Sequence, residues 1–412
     1  MLRGMRRTRA LTAILCTAAV LVGLAPSGAA AASPAIAPWH QGAGVPAAGT
    51  LAASGSGEPA SAIPWHNVGP GWFVALWGPH AAGACCPLPA GWQKQPTTLY
   101  LVDPAGGRYR VATLPAPSYY DLADWSGDGR RVLMLAPAAG NRFEVEEVDL
   151  ATGRLLHHFA AATAASYQFT RPDGLAILAS SEAAVQPGAG TLARLTLSGA
   201  KELTYPTSYP GVGAIAPGML GGGGVLESLN GAELVVEARN GMALVANDGT
   251  FIKDIGPAEP CAPQRWWTAT AFVASCNNAS GSHLPALWLV HLDGQPAVQL
   301  THPSAPDLGD MNGWDLAGTI YTQAAGPCGT EFLARRSADG HMVPVLVPRA
   351  KDDVHVVGTD GDRLSLVALL GCGGGQSLFW FDPATAKETP LLGPPVNGGG
   401  VLGVLPYPGL EN

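Results

Sequence analysis

From residue 61 onward the chain is a succession of short apolar or alternating runs, each closed by a cluster of Gly, Asp, Asn or Ser. Runs of that length and period predict strands, and the clusters between them predict turns. Residues 124–135, DWSGDGRRVLML, show the unit most clearly: a Trp-Ser pair, an Asp-Gly turn and an apolar run. Counterparts stand at FTRPDGLAILAS (169–180), ESLNGAELVVEA (227–238) and GTDGDRLSLVAL (358–369). Looser copies are VGPGWFVALW (68–77), WWTATAFVASC (266–276) and GWDLAGTIYT (313–322).

A second marker follows each copy. It is a run that ends on a polar turn, as in LYLVDPAGG (99–107), VEEVDLATG (145–153) and LFWFDPATA (378–386). Its aspartates are Asp103, Asp149, Asp248, Asp293, Asp339 and Asp382, with Ser198 in the third copy. From Asp103 to Asp382 is 279 residues in six steps, about 46 per repeat. An Asp suits this place because its short side chain bonds the backbone two residues ahead. A third run then leads outward, for example LLHHFA (155–160) and KETPLL (387–392). With the strand before each hairpin, every unit holds four antiparallel strands. A four-stranded unit with this period is the sequence form of a propeller blade. The expected fold is therefore all-β, a seven-bladed β-propeller of four-stranded antiparallel blades over residues 61–412. The blades fall at roughly 61–115, 118–161, 165–206, 212–256, 262–301, 308–349 and 353–394. The apolar tail GGGVLGVLPYP (398–408) remains, and it is expected to close the ring by pairing of the chain termini, since an open ring leaves bare sheet edges. A pair of β-sandwiches of similar length would not produce phase-locked repeats.

The hairpin WSGDG (125–129), its partner TRPDG (170–174) and the following L-x-V-D-x-x-x-G strand resemble the WD40-like repeat of TolB-type propellers. The resemblance covers about 330 residues as architecture and implies a binding platform, with no catalytic residues to carry over. It does not extend to TolB's α/β domain, for which the residues before the first blade are too few.

The N-terminus changes the picture of where the protein works. MLRGMRRTRA carries four arginines and no acid, and it precedes the apolar run LTAILCTAAVLVGLA and the small residues PSGAAAA. This is the pattern of a secretory signal peptide, residues 1–32, cut after Ala32. The apolar run is shorter than the roughly 20 residues of a membrane span. Residues 33–60, mostly Ala, Gly, Ser and Pro, read as a flexible leader. Loss of the four arginines takes the net charge from −8 to −12. So acidic a chain is poorly suited to nucleic acid, whose phosphates require lysine and arginine. An exported or envelope protein without a later transmembrane segment, and a monomer, is expected.

Six cysteines remain: Cys85, Cys86, Cys261, Cys276, Cys328 and Cys372. An even number in an exported chain favours disulfides. In the repeat alignment all six map to one face of the disc, where the second-to-third-strand loops and the inter-blade loops lie. Cys261–Cys276 and Cys328–Cys372 are the expected pairs. Cys85–Cys86 is then left as a vicinal bridge, unless Cys372 pairs across the closure with blade one.

Little else points to chemistry. His283, His291 and His302 fall in blade five, but His283 and His291 lie eight residues apart on one extended segment, over roughly 20 Å, too far to share a metal. PDLGDMNGWD lacks the alternation of a calcium loop, and no G-x-S-x-G nucleophile motif occurs. No cofactor, metal or catalytic residue is assigned. Most tryptophans, including Trp72, Trp77, Trp288 and Trp380, fall in strands and are expected to pack between blades; Trp92 is the one expected to be exposed. The leading expectation is an exported, non-catalytic scaffold for a protein or peptide partner. One alternative is a propeller enzyme of lactonase, glycosidase or quinoprotein type, with Asp121, Asp124, Asp310 and Asp315 at the channel mouth. The other is a glycan-binding module using aromatic faces such as Trp92. Together these five residues mark the possible binding face.

Overall fold

The computed structural model describes residues 57–409, apart from 80–90, 92–93, 117–119, 141, 182–189, 219–223, 278–283, 305, 327–329, 338–340, 351–352, 370–375 and 395–398. Its described residues form seven four-stranded antiparallel blades. Blade two runs from the channel outward as Asp121–Trp125, Arg131–Ala138, Arg142–Asp149 and Leu155–Ala160. Blades three to seven repeat that order. Their inner strands are Ala165–Phe169, Val225–Glu227, Cys261–Thr268, Asp310–Leu316 and Asp353–Asp360.

Blade one is the exception, and it closes the ring. The tail strand Gly399–Pro406 is its inner strand, paired antiparallel with Phe73–Pro79. The tail is thus not left over after seven blades but completes the first. On the outer edge of the same blade, Glu58–Pro59 pairs parallel with Tyr109 and Arg110. These two residues belong to the expected leader, whose residues 33–56 lie outside the described part. A further departure is a small hairpin, Ser208–Tyr209 with Gly213–Ala214, inserted between blades three and four. No helix among the described residues is long and apolar enough to cross a membrane.

Each blade buries its alternating apolar positions against its neighbours. Trp72, Trp125, Val132 and Met134 fill the seam between blades one and two. Phe73, Trp380, Leu391 and Val401 fill the seam where blade seven meets blade one. The strand tryptophans thus serve packing, as expected from their positions.

The repeat's turns owe their composition to local hydrogen bonds. In blade two the Ser126 hydroxyl donates to Asp128 Oδ1 (2.5 Å) and accepts from the Arg131 N–H (2.9 Å), while Gly129 N–H donates to the Ser126 carbonyl. Blade four repeats this with Ser228, Asn230, Gly231 and Glu233 at 2.8 and 2.9 Å. The outer turns work as the Asp marker predicts. Asp103, Asp248 and Asp382 each accept, through Oδ1, the N–H two residues ahead, at 2.8, 2.9 and 2.8 Å.

Candidate functional site

Most inner strands carry a bulge where they pair with the second strand. In blade two it falls between Leu122 and Asp124, so that Leu122 opposes Met134 and Asp124 opposes Leu133. Met134 packs towards blade one and Leu133 towards blade three. Without the extra residue Asp124 would share the face of Leu122; with it, the carboxylate turns towards blade three.

There it meets Arg171, from the turn TRPDG. The guanidinium donates through Nη2 to Asp124 Oδ1 (2.9 Å) and through Nη1 to the Trp125 carbonyl (3.2 Å). The other Asp124 oxygen accepts the Phe169 N–H at 2.8 Å. On its far side, the backbone N–H of Arg171 donates to Glu227 Oε2 of blade four at 2.7 Å. The Glu227 carbonyl in turn accepts from the indole N–H of Trp266 in blade five, at 2.8 Å. A chain of polar contacts therefore crosses blades two, three, four and five at one end of the inner strands.

Beside this chain lies a cavity of about 230 Å³. Its polar lining is Asp124, Ser166, Gln168 and Ser180, and Leu178, Leu192 and Val225 supply apolar wall. Ser166 sits directly opposite Ser180, and Gln168 opposite Leu178, across the first two strands of blade three. Among the described residues the inner strand of blade four is only three residues long, against five in blades two and three and eight in blade five.

The acids expected at the channel mouth occupy separate places. Asp121 and Asp124 lie at opposite ends of the inner strand of blade two, roughly 10 Å apart along the strand. Asp121 is exposed and Asp124 is half-buried. Asp310 and Asp315 belong to blade six, which blades seven and one separate from blade two. Asp310 is fully buried and pairs with Arg336, which also holds Asp307 at 2.9 Å. Burial pushes the Asp310 carboxyl up, against the pull of Arg336. Asp315 Oδ1 accepts the Gly318 N–H at 2.7 Å, and burial raises its carboxyl too. Among the described residues no group of three or more His, Cys, Asp or Glu is placed to hold a metal.

In blade five, Cys261 and Cys276 are cross-strand partners and form a disulfide. Cys85, Cys86, Cys328, Cys372 and Trp92 lie outside the described residues. His355 stands between Asp353 (3.0 Å) and Glu331 (3.1 Å), which tie blade seven to blade six. The two carboxylates hold its imidazole protonated, with a pKa raised to about 10.

Sequence reasoning did not single out Glu227, although the repeat carried a signal for it. The residue before the Ser or Thr of the hairpin turn is Trp125 in blade two and Phe169 in blade three, both 1% exposed. Blade four places Glu227 there, at 5%. An acid at an aromatic position of a repeat is the mark of a buried carboxylate. Burial pushes it up to about 7, with Asp124 adding to the rise and Arg171 and Arg194 opposing it.

No protein-family model matches the chain, and no curated protein matches it in sequence. Solved structures similar to it include the dihydro-heme d1 dehydrogenase NirN in complex with DHE (13% identity, 82% of this chain and 75% of that one, TM-score 0.46). Others are the periplasmic gluconolactonase PpgL of Pseudomonas aeruginosa (13%, 82% and 100%, 0.46) and TolB from Acinetobacter baumannii (12%, 83% and 70%, 0.39). At such values the likeness concerns architecture alone, a propeller shared by proteins of different activity.

Proposed function

We propose that the protein is an exported, non-catalytic β-propeller that binds a protein or peptide partner outside the cytoplasm, through a polypeptide segment entering the cavity beside blade three. The observation that carries this reading is the cavity's mixed lining. Hydroxyl and amide groups from Ser166, Gln168 and Ser180 stand beside Leu178 and Leu192 on one face of blade three, and Val225 of blade four adds apolar lining. Such a surface suits the alternating polar backbone and apolar side chains of an extended segment. Its volume is that of roughly eight waters, room for one or two side chains.

Three of the four acids considered for a propeller hydrolase, Asp124, Asp310 and Asp315, are bonded within the framework, which supports the same reading, while Asp121 is exposed. The disulfide Cys261–Cys276 and the arginine-rich, apolar N-terminus support export. We place the protein with TolB-like propellers on its repeat, acting as a monomer without a cofactor.

The test is capture from solubilised envelope by the immobilised, oxidised protein. One polypeptide retained by the wild type and lost in Ser180→Trp, with the far-ultraviolet spectrum unchanged, supports the reading. Retention of glycan instead, or turnover of a small molecule, contradicts it.

A further inference from the structure

Glu227 is a buried carboxylate that the partner-binding role does not use. Its side chain faces blade three across the seam, on the same side of the strand as the cavity residue Val225. Among the described residues, the Arg171 backbone N–H is its one close donor, at 2.7 Å. The Asn247 amide is 3.5 Å away and is already bonded to the Gly231 carbonyl at 2.6 Å. The nearest guanidinium is turned away, because Arg171 directs its charge to Asp124 and the Trp125 carbonyl in blade two. Arg194, on the third strand of blade three, bonds Asn247 and Glu202. Other polar groups of these blades are the Tyr205 hydroxyl, bonded to the Asn247 carbonyl, Asp248, which accepts the Thr250 N–H, and the cavity residue Gln168. From blade five comes the neutral Trp266 indole.

A carboxylate so placed has, among the described residues, one strong donor and no paired cation, so its ionised form bears most of the desolvation cost. We propose that Glu227 is a proton-operated latch on the seam between blades three and four. Protonated, it lets the seam between the two blades close; ionised, it loosens that seam. Proton exchange with water is the only chemical step: the O–H bond of the carboxyl breaks and its proton leaves to solvent. The inference stands apart from what the cavity holds.

Titration near neutrality is consistent with this geometry, since burial pushes the carboxyl from 4.5 up to about 7. A carboxyl raised in the folded state stabilises the closed seam fully below its unfolded value. That contribution is lost as pH rises through the folded value.

Amide hydrogen exchange on the purified protein, without ligand, tests the latch. After correction for intrinsic rates, opening at the Arg171 amide should increase roughly thirtyfold between about pH 5.5 and about pH 8.5. Glu227→Gln, neutral at every pH, should remove that dependence. Asp124→Asn should move the midpoint to lower pH, because it removes a nearby negative charge and releases the Arg171 guanidinium. A wild-type profile parallel to that of Glu227→Gln, or a midpoint that Asp124→Asn leaves in place, would overturn the proposal.

Discussion

Arg171 uses its two ends for different neighbours: its guanidinium holds Asp124 of blade two, and its amide holds Glu227 of blade four. The ion pair is largely shielded, with side-chain exposures of 19% and 15%. Removing one partner of such a pair leaves the other charge poorly solvated, which costs more than the pair itself contributes. Arg171→Leu should therefore lower stability by about 2–4 kcal/mol in urea unfolding. Arg171→Leu combined with Asp124→Leu should recover part of that loss. These contacts were not legible in the sequence. They join residues 47 and 56 positions apart, and they depend on a bulge that no local pattern announces. Asp124, a residue of the possible binding face, is turned by the bulge towards Arg171.

Among elements, the turns were the most legible, because their hydrogen bonds span only a few residues. Ser126, Asp128 and Gly129 read directly as a turn, and so do Asp103, Asp149 and Asp382. The disulfide of blade five was legible for the same reason, since Cys261 and Cys276 end two adjacent strands. What the pattern hides is how the turns lean on each other. Gly231 has φ +72°, and a Cβ there would sit 1.9 Å from the Arg171 carbonyl oxygen of the neighbouring blade. Gly127, on the other side, would bring a Cβ to 2.0 Å from the Pro172 carbonyl oxygen. Both turns thus press on the one that carries Arg171. Gly231→Ala combines a left-handed backbone with this close approach. It should cost more than about 1 kcal/mol, measured as a lowered denaturation midpoint with an unchanged slope.

For the whole molecule, the repeat predicted the number of blades and the closing strand, because each depends on a pattern repeated along the chain. It did not predict that the tail would be an inner strand, since nothing local distinguishes an inner from an added outer strand. Gly399–Pro406 covers the edge of Phe73–Pro79 and buries Val401 between blades seven and one. A chain ending at residue 398 should lose its single cooperative unfolding transition in calorimetry, because the ring then carries an uncovered edge and an open seam. The cavity was equally hidden from sequence, for its lining joins residues of blades two, three and four that are far apart along the chain.

The central claim is that this cavity receives a polypeptide. Its most direct test is a photo-reactive residue at Ser166, which is exposed and lines the cavity, with a control at the exposed Lys201 on the outer strand of blade three. Irradiation in contact with solubilised envelope should cross-link one defined polypeptide from Ser166 and not from Lys201. Equal labelling from both positions, or no polypeptide from Ser166, would contradict it.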